Sequence, residues 1–149
     1  MLAEAYCLRA FVHFDLINLY AKWYDPATAA TDKAVPLSLK IDIGQSFIPT
    51  TVEKVYEQVF ADLQEAEKYM QVEQQTGAYL YRFSKKALKA FQARVYLYHQ
   101  DWKQAQETAE SLLAACPLED LTTTEAQPWT YTSKEAILAL ETVSSTGMK

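Results

Sequence analysis

Residues 84–117 read SKKALKAFQARVYLYHQDWKQAQETAESLLAACP, and no other stretch of the 149-residue chain restricts its fold as much. In the first half Ala87, Leu88, Phe91, Val95 and Tyr98 recur every three to four residues. In the second half Trp102, Ala105, Ala109, Leu112 and Cys116 do the same. That spacing returns side chains to one side of an α-helix, so the segment is predicted to be two amphipathic helices joined by a tight turn. Ser84 and Asp101 suit the two N-caps, because a short side-chain oxygen can accept from the unpaired N–H groups of a first turn. Pro117, lacking an N–H, ends the second helix. Small residues (Ala93, Ala105, Ala109) stand where helix backbones must approach closely, and Tyr96 stands where a gap must be filled. Trp102 opens the second stripe and is expected in the core.

Ala93, Tyr96, Ala105 and Pro117 also have the relative spacing of a tetratricopeptide unit, a helix pair of about 34 residues. Such units are scaffolds for binding and assembly. Upstream, a first helix is predicted from Leu2 to Tyr20. It is apolar on almost every face and broken only by Glu4, Arg9, His13, Asp15 and Asn18, the pattern of a helix enclosed by neighbours on more than one side. A second helix is predicted from Thr51, with Thr50 and Glu53 as a capping box. Its inner stripe is Val52, Val55, Tyr56, Val59, Leu63, Ala66 and Met70. Beyond Pro117 the helical period disappears. Residues 122–124 and 127–128 read as loop, and 137–140 as a short strand or extended segment. The expectation is an all-α fold of tetratricopeptide-like antiparallel helix pairs with long loops. The helical domain spans 1–118, and 119–149 is irregular, the start of a further C-terminal part.

Composition narrows the function. Half the residues are hydrophobic, which excludes intrinsic disorder. A net charge of −5 with three scattered arginines does not suit nucleic acid, whose phosphates need clustered cations. No apolar run of about 18 residues is free of charge, so no membrane span is expected. Catalytic patterns are lacking. The only glycines are Gly44, Gly77 and Gly147, too few for a phosphate-cradling loop. His13 and His99 have no ligand at metal spacing, so neither metal nor cofactor is expected. Glu4, Glu65 and Glu67 read as solvated carboxylates. Arg9 and Arg94 lie within apolar helix patterns and are expected to satisfy buried acceptors or pair with Glu4 or Asp15. Cys7 has no basic and apolar leader before it, so it reads as a small buried hydrophobe instead of an acylated cysteine. Cys7 and Cys116 are expected to be unpaired thiols.

The connection over residues 21–49 is anomalous, since helix–helix links usually take about 2–8 residues. It carries Trp23, Tyr24, Val35 and Phe47, too apolar a set for a solvated linker, and is expected to pack across the helices. Aromatics recur at Tyr79, Tyr81, Trp129 and Tyr131. Sugar rings present C–H groups that stack on a flat π-face, while their hydroxyls want carboxylates and amides nearby. Trp23 and Tyr24 are therefore the candidate stacking faces, with Asp25 as hydroxyl acceptor, all positioned by the end of the first helix. The competing reading is that these aromatics only pin their own loop.

One succession of motifs runs through most of residues 2–141. It comprises Leu8-Arg9-Ala10-Phe11 with Phe14-Asp15-Leu16, Leu19-Tyr20, Val35-Pro36-Leu37, and Val55-Tyr56 through Asp62-Leu63. Ala93-Arg94-Val95-Tyr96-Leu97-Tyr98, Asp101-Trp102 with Ala105, and Glu135-Ala136-Ile137 complete it. In that order they resemble the SusD/RagB family of nutrient-binding outer-membrane lipoproteins of Bacteroidetes, and specifically its central helical portion. The family is several times longer, with a lipid-anchoring cysteine and a loop-rich C-terminal part that this chain lacks. The resemblance implies a non-catalytic component on the external face of the outer membrane, while the 149 residues themselves are expected to be soluble. It implies a SusC-type TonB-dependent transporter as partner and an oligosaccharide, or in some members a peptide, as ligand. The alternative is a tetratricopeptide adaptor for another protein, against which the long 21–49 connection argues.

Overall fold

The computed structural model describes residues 1–41, 44, 46–116, 118, 120–122, 133 and 135–140. Among them are four α-helices: α1 (Leu2–Tyr20), α2 (Val52–Tyr69), α3 (Lys85–Tyr98) and α4 (Trp102–Ala115), with one short 3-10 turn over Gly77–Tyr79. The fold is all-α and tetratricopeptide-like. Pro117, Trp129 and Tyr131 lie outside the described residues, as do 123–124, 127–128 and most of 119–149.

Side-chain pairs fix the helix directions. Arg9 meets Asp62 while Phe14 meets Tyr56, so α1 and α2 run antiparallel. Phe60 stacks on Tyr96 and Tyr56 approaches His99, which sets α3 antiparallel to α2. Lys86 Nζ donates to the Ala115 carbonyl at 3.0 Å, closing the α3–α4 hairpin. The whole α2 stripe read from the sequence is buried, from Val52 to Met70. It meets Ala3, Cys7, Ala10, Phe14 and Ile17 of α1 and Leu88, Phe91 and Val95 of α3 in one core. Phe14 and Phe91 meet edge-on with centroids 5.5 Å apart.

Several expectations need correction. Trp102 is 60 % exposed. Its helix packs mainly on α3, so along α4 Ala105 is the buried residue among those described. Tyr98 likewise lies half out of the core. Helix α1 is not enclosed: Leu8, Val12, Leu19 and Tyr20 face outward, because α2, α3 and the long connection cover one side only. The N-cap of α2 is Thr51, whose side chain accepts from Lys54 N–H. Thr50 cannot make the capping box, since its backbone pairs with Ala34 and Val35. Ser84 caps α3 as expected, but Asp101 makes no side-chain cap. Arg9 pairs with neither Glu4 nor Asp15. It binds Asp62 in bidentate fashion at 2.6 and 2.8 Å, while Glu4 is held by Arg82. Arg94 is exposed, and among the described residues it satisfies no buried acceptor. Residues 137–140 form no strand, with a bend at Ile137 and the Ala139 N–H donating to the Leu80 carbonyl. Cys7 and Cys116 are both free thiols.

Candidate functional site

Helix α1 stops at Ala21, where the backbone turns extended (ψ 174°) and leads the chain away from the bundle end. The next residues are tied down by local hydrogen bonds. Asp25 accepts at its backbone carbonyl from the Thr28 and Ala29 N–H groups, and at Oδ1 from Ala27 N–H at 2.9 Å. Asp32 receives Lys22 Nζ at 2.5 Å and Thr28 Oγ1 at 2.7 Å. The Lys22 ammonium and the Thr28 hydroxyl hold the Asp32 carboxyl below its usual range.

The connection then does for α2 what a side-chain cap alone could not. The first N–H groups of any helix have no partner within it. Here Val52 N–H donates to the Asp32 carbonyl and Glu53 N–H to the Ala29 carbonyl, each at 3.0 Å. An antiparallel bridge between Lys33 and Thr51 follows, and buried Ala29 and Val35 anchor the connection to the core. The long connection packs across the helices, as its composition suggested.

The three candidate residues have different surroundings. Trp23 is 85 % exposed, a full indole face in solvent. The Tyr24 ring is half-buried, 4.0 Å from His99 and 5.1 Å from Tyr56 between centroids, and its carbonyl accepts from Gln100 Nε2 at 2.6 Å. Burial raises its phenol pKa. Asp25 is half-buried beside the turn that its Oδ1 closes. The structure brings the three together at the bundle end but gives Tyr24 an anchoring position, leaving Trp23 as the open face. Tyr79 and Tyr81 are exposed elsewhere, around the 3-10 turn.

Sequence reasoning missed Gln100. It has φ 64°, and is the one non-glycine residue with positive φ among those described. The available signal was the turn His99-Gln100-Asp101, which ends a helix and starts another without the glycine that such a turn favours. His99 lies among Tyr24, Tyr56 and Phe60, and burial lowers its pKa against the opposing pull of Asp101.

Among the shallow clefts elsewhere, one is mixed, with Arg94 and Glu135 in its wall, and another is mainly apolar. The mixed one, of about 460 Å³, runs between Phe11, Phe91 and the 135–140 segment. The apolar one, of about 500 Å³, lies between the outward side of α1 and Phe47. No group of His, Cys, Asp and Glu suited to a metal ion occurs among the described residues. Nor, among them, is any helix long and apolar enough to cross a membrane.

A family model described as SusD-like, starch-binding associating with outer membrane, matches residues 1–97. The chain belongs to the SusD-like family. A SusD-like protein of Formosa agariphila is 32 % identical over 118 residues, which are 76 % of this chain and 20 % of that protein. The crystal structure of a SusD-like carbohydrate-binding protein from Bacteroides vulgatus superposes with a TM-score of 0.73 at 22 % identity. It covers 91 % of this SusD-like chain and 29 % of its own. A laminarin-binding SusD-like protein superposes at 0.60 with 25 % identity, over 80 % of this chain and 24 % of that one. The chain thus spans between a fifth and three tenths of the relatives it matches.

Proposed function

We propose that this SusD-like chain is the helical scaffold of a non-catalytic glycan-capturing protein on the external face of the outer membrane. In this reading residues 1–118 form the scaffold and 119–149 stand outside it. Trp23 supplies the stacking face, Asp25 accepts sugar hydroxyls, and Tyr24 fixes both by locking into the aromatic group of Tyr56 and His99. The observation that carries the reading is the exposed indole of Trp23 on a connection pinned to α2 on one side and to the α3–α4 turn on the other. A backbone held still beneath an aromatic side chain has less freedom to lose when a sugar docks. The family description and the laminarin-binding relative support a glucan as the class of ligand; a peptide is the other class the resemblance allows. A SusC-type TonB-dependent transporter is the partner through which captured ligand would enter the cell.

Calorimetric titration with malto-oligosaccharides and laminari-oligosaccharides tests the ligand. Saturable binding to one series should weaken about 2- to 10-fold in Trp23→Ala, the scale of one lost aromatic contact. Equal affinity in the variant would return Trp23 to a loop anchor, and no binding to either series would remove the glucan reading. Co-purification with a TonB-dependent transporter from outer membranes tests the partner.

A further inference from the structure

We infer that Trp102 is a second stacking platform for the same glycan chain, held at a fixed offset from Trp23 by the Gln100–Tyr24 hydrogen bond. This rests on the glycan reading above and extends it from one sugar ring to an oligosaccharide.

The starting point is a backbone conformation that the residue does not favour. Helix α3 ends with the Gln100 N–H donating to the Leu97 carbonyl at 3.2 Å and the Asp101 N–H donating to the Tyr96 carbonyl at 2.9 Å. That pair of bonds requires a left-handed residue at position 100, where glycine is preferred because it has no Cβ to crowd the carbonyl. Glutamine stands there instead, at φ 64°. What it adds over glycine is a side-chain amide, and that amide reaches the Tyr24 carbonyl at 2.6 Å. An observed backbone outlier is a reason to look for a role. Here the role is to join the turn that carries Trp102 to the connection that carries Trp23.

The side chains around this joint fit the same purpose. Trp23 is one residue before the clamped carbonyl and Trp102 two residues after the clamping amide, and both are exposed. The Tyr24 and His99 rings, 4.0 Å apart, reinforce the joint from the core side. Asp101 lies at the N-cap position of α4 yet its side chain makes no cap bond, so a carboxylate stands between the clamp and Trp102 without the work its position offers. Lys103 and Gln104, exposed on the same turn, are both drawn to Glu107 further along α4 and leave Asp101 as the polar group beside Trp102. Two exposed indoles joined through one hydrogen bond, with the Asp101 carboxylate between the clamp and Trp102, suit a chain of sugars whose rings stack and whose hydroxyls need partners.

The test is calorimetric titration of the protein with the glucan series that it binds, from disaccharide to hexasaccharide, with Trp102→Ala, Trp102→Phe and Gln100→Gly beside it. Affinity should rise with chain length. Trp102→Ala should shrink the gain from disaccharide to hexasaccharide about 3- to 10-fold, and Trp102→Phe should restore most of it. Gln100→Gly should melt at the same temperature or higher, since the backbone strain is relieved, yet bind the hexasaccharide more weakly. That opposition separates positioning from folding. A length-dependent gain that survives Trp102→Ala, or a Gln100→Gly variant with unchanged hexasaccharide affinity, overturns the inference while leaving the Trp23 site intact. Absence of any glucan binding by the unaltered protein removes the functional reading and this inference together.

Discussion

Cys7 and His13 both lie on the buried side of α1, and burial moves both titrations. The Cys7 thiol is pushed up to about 12 by burial, with the Glu4 carboxylate adding to the effect. Only a thiolate reacts readily. At mildly alkaline pH the native protein should therefore be labelled by a thiol reagent at half-buried Cys116, and at Cys7 only on unfolding; native labelling of both at similar rates would mean that the α1–α2 seam opens freely. Burial lowers the pKa of His13, with Asp62 opposing and Arg9 assisting, and burial lowers that of His99 as well. Folded imidazoles thus stay neutral where unfolded ones, near 6.5, take up protons. The unfolded chain binds more protons in that window, so stability is complete above it and falls as pH drops through 6.5 toward the lower folded values. Denaturant midpoints should decline between about pH 7.5 and about pH 5.5, and His13→Gln should flatten the decline. Glu4, held low by Arg82, adds its own loss only in more acid solution. The sequence reading foresaw Cys7 as a buried small hydrophobe because its neighbours at helical spacing are apolar. It could not find the partner of Arg9, since Asp62 is 53 residues away and periodicity says nothing about which helix faces which.

At the level of elements, helical period was a dependable guide wherever a helix has neighbours on its apolar side. Every residue of the α2 stripe is buried, and Ser84 caps α3 from a fully buried position. Ser84→Ala should therefore cost about 1 kcal/mol, whereas Asp101→Ala, which removes no cap bond, should stay within about 0.5 kcal/mol. Urea midpoints of the two variants would rank them, and equal losses would show that Asp101 caps α4 in solution. The same reasoning failed for Trp102, because a stripe states which side of a helix is apolar and not how much of it a single neighbour can cover. It placed the start of α2 at Thr51, which is the N-cap, but did not find the partners of the first N–H groups. Backbone carbonyls of Ala29 and Asp32 fill that role, and backbone leaves no mark in a side-chain pattern.

For the molecule as a whole, the outward side of α1 sets its behaviour in solution. Leu8, Val12, Leu19 and Tyr20 are all more than half exposed, at 52, 52, 73 and 74 %, and Phe47 faces Leu8 and Val12 across the larger cleft. Contiguous apolar surface of this kind promotes association and binds apolar dyes. Leu8→Gln combined with Val12→Gln should lower dye binding and any self-association seen in sedimentation, with a stability change of about 0.5 kcal/mol or less per site. Undiminished dye binding would place the sticky surface elsewhere, in the Phe11–Phe91 cleft. The bridge between Lys33 and Thr51, with Ala34 and Val35 paired to Thr50, has a consequence of a different kind. It makes a neck. Everything that caps α2 or grips the α3–α4 turn lies on the scaffold side of that neck, and the chain beyond it, a cassette in sequence, returns Leu37 to the core and Pro36, Ser38 and Phe47 to the side of α1. Lengthening a cassette closed at its base costs only about 0.6 kcal/mol for each doubling. The neck can therefore accept a longer segment between positions 39 and 46 provided Leu37 and Phe47 keep their places against the helices, which makes that stretch a port for grafting new recognition sequences.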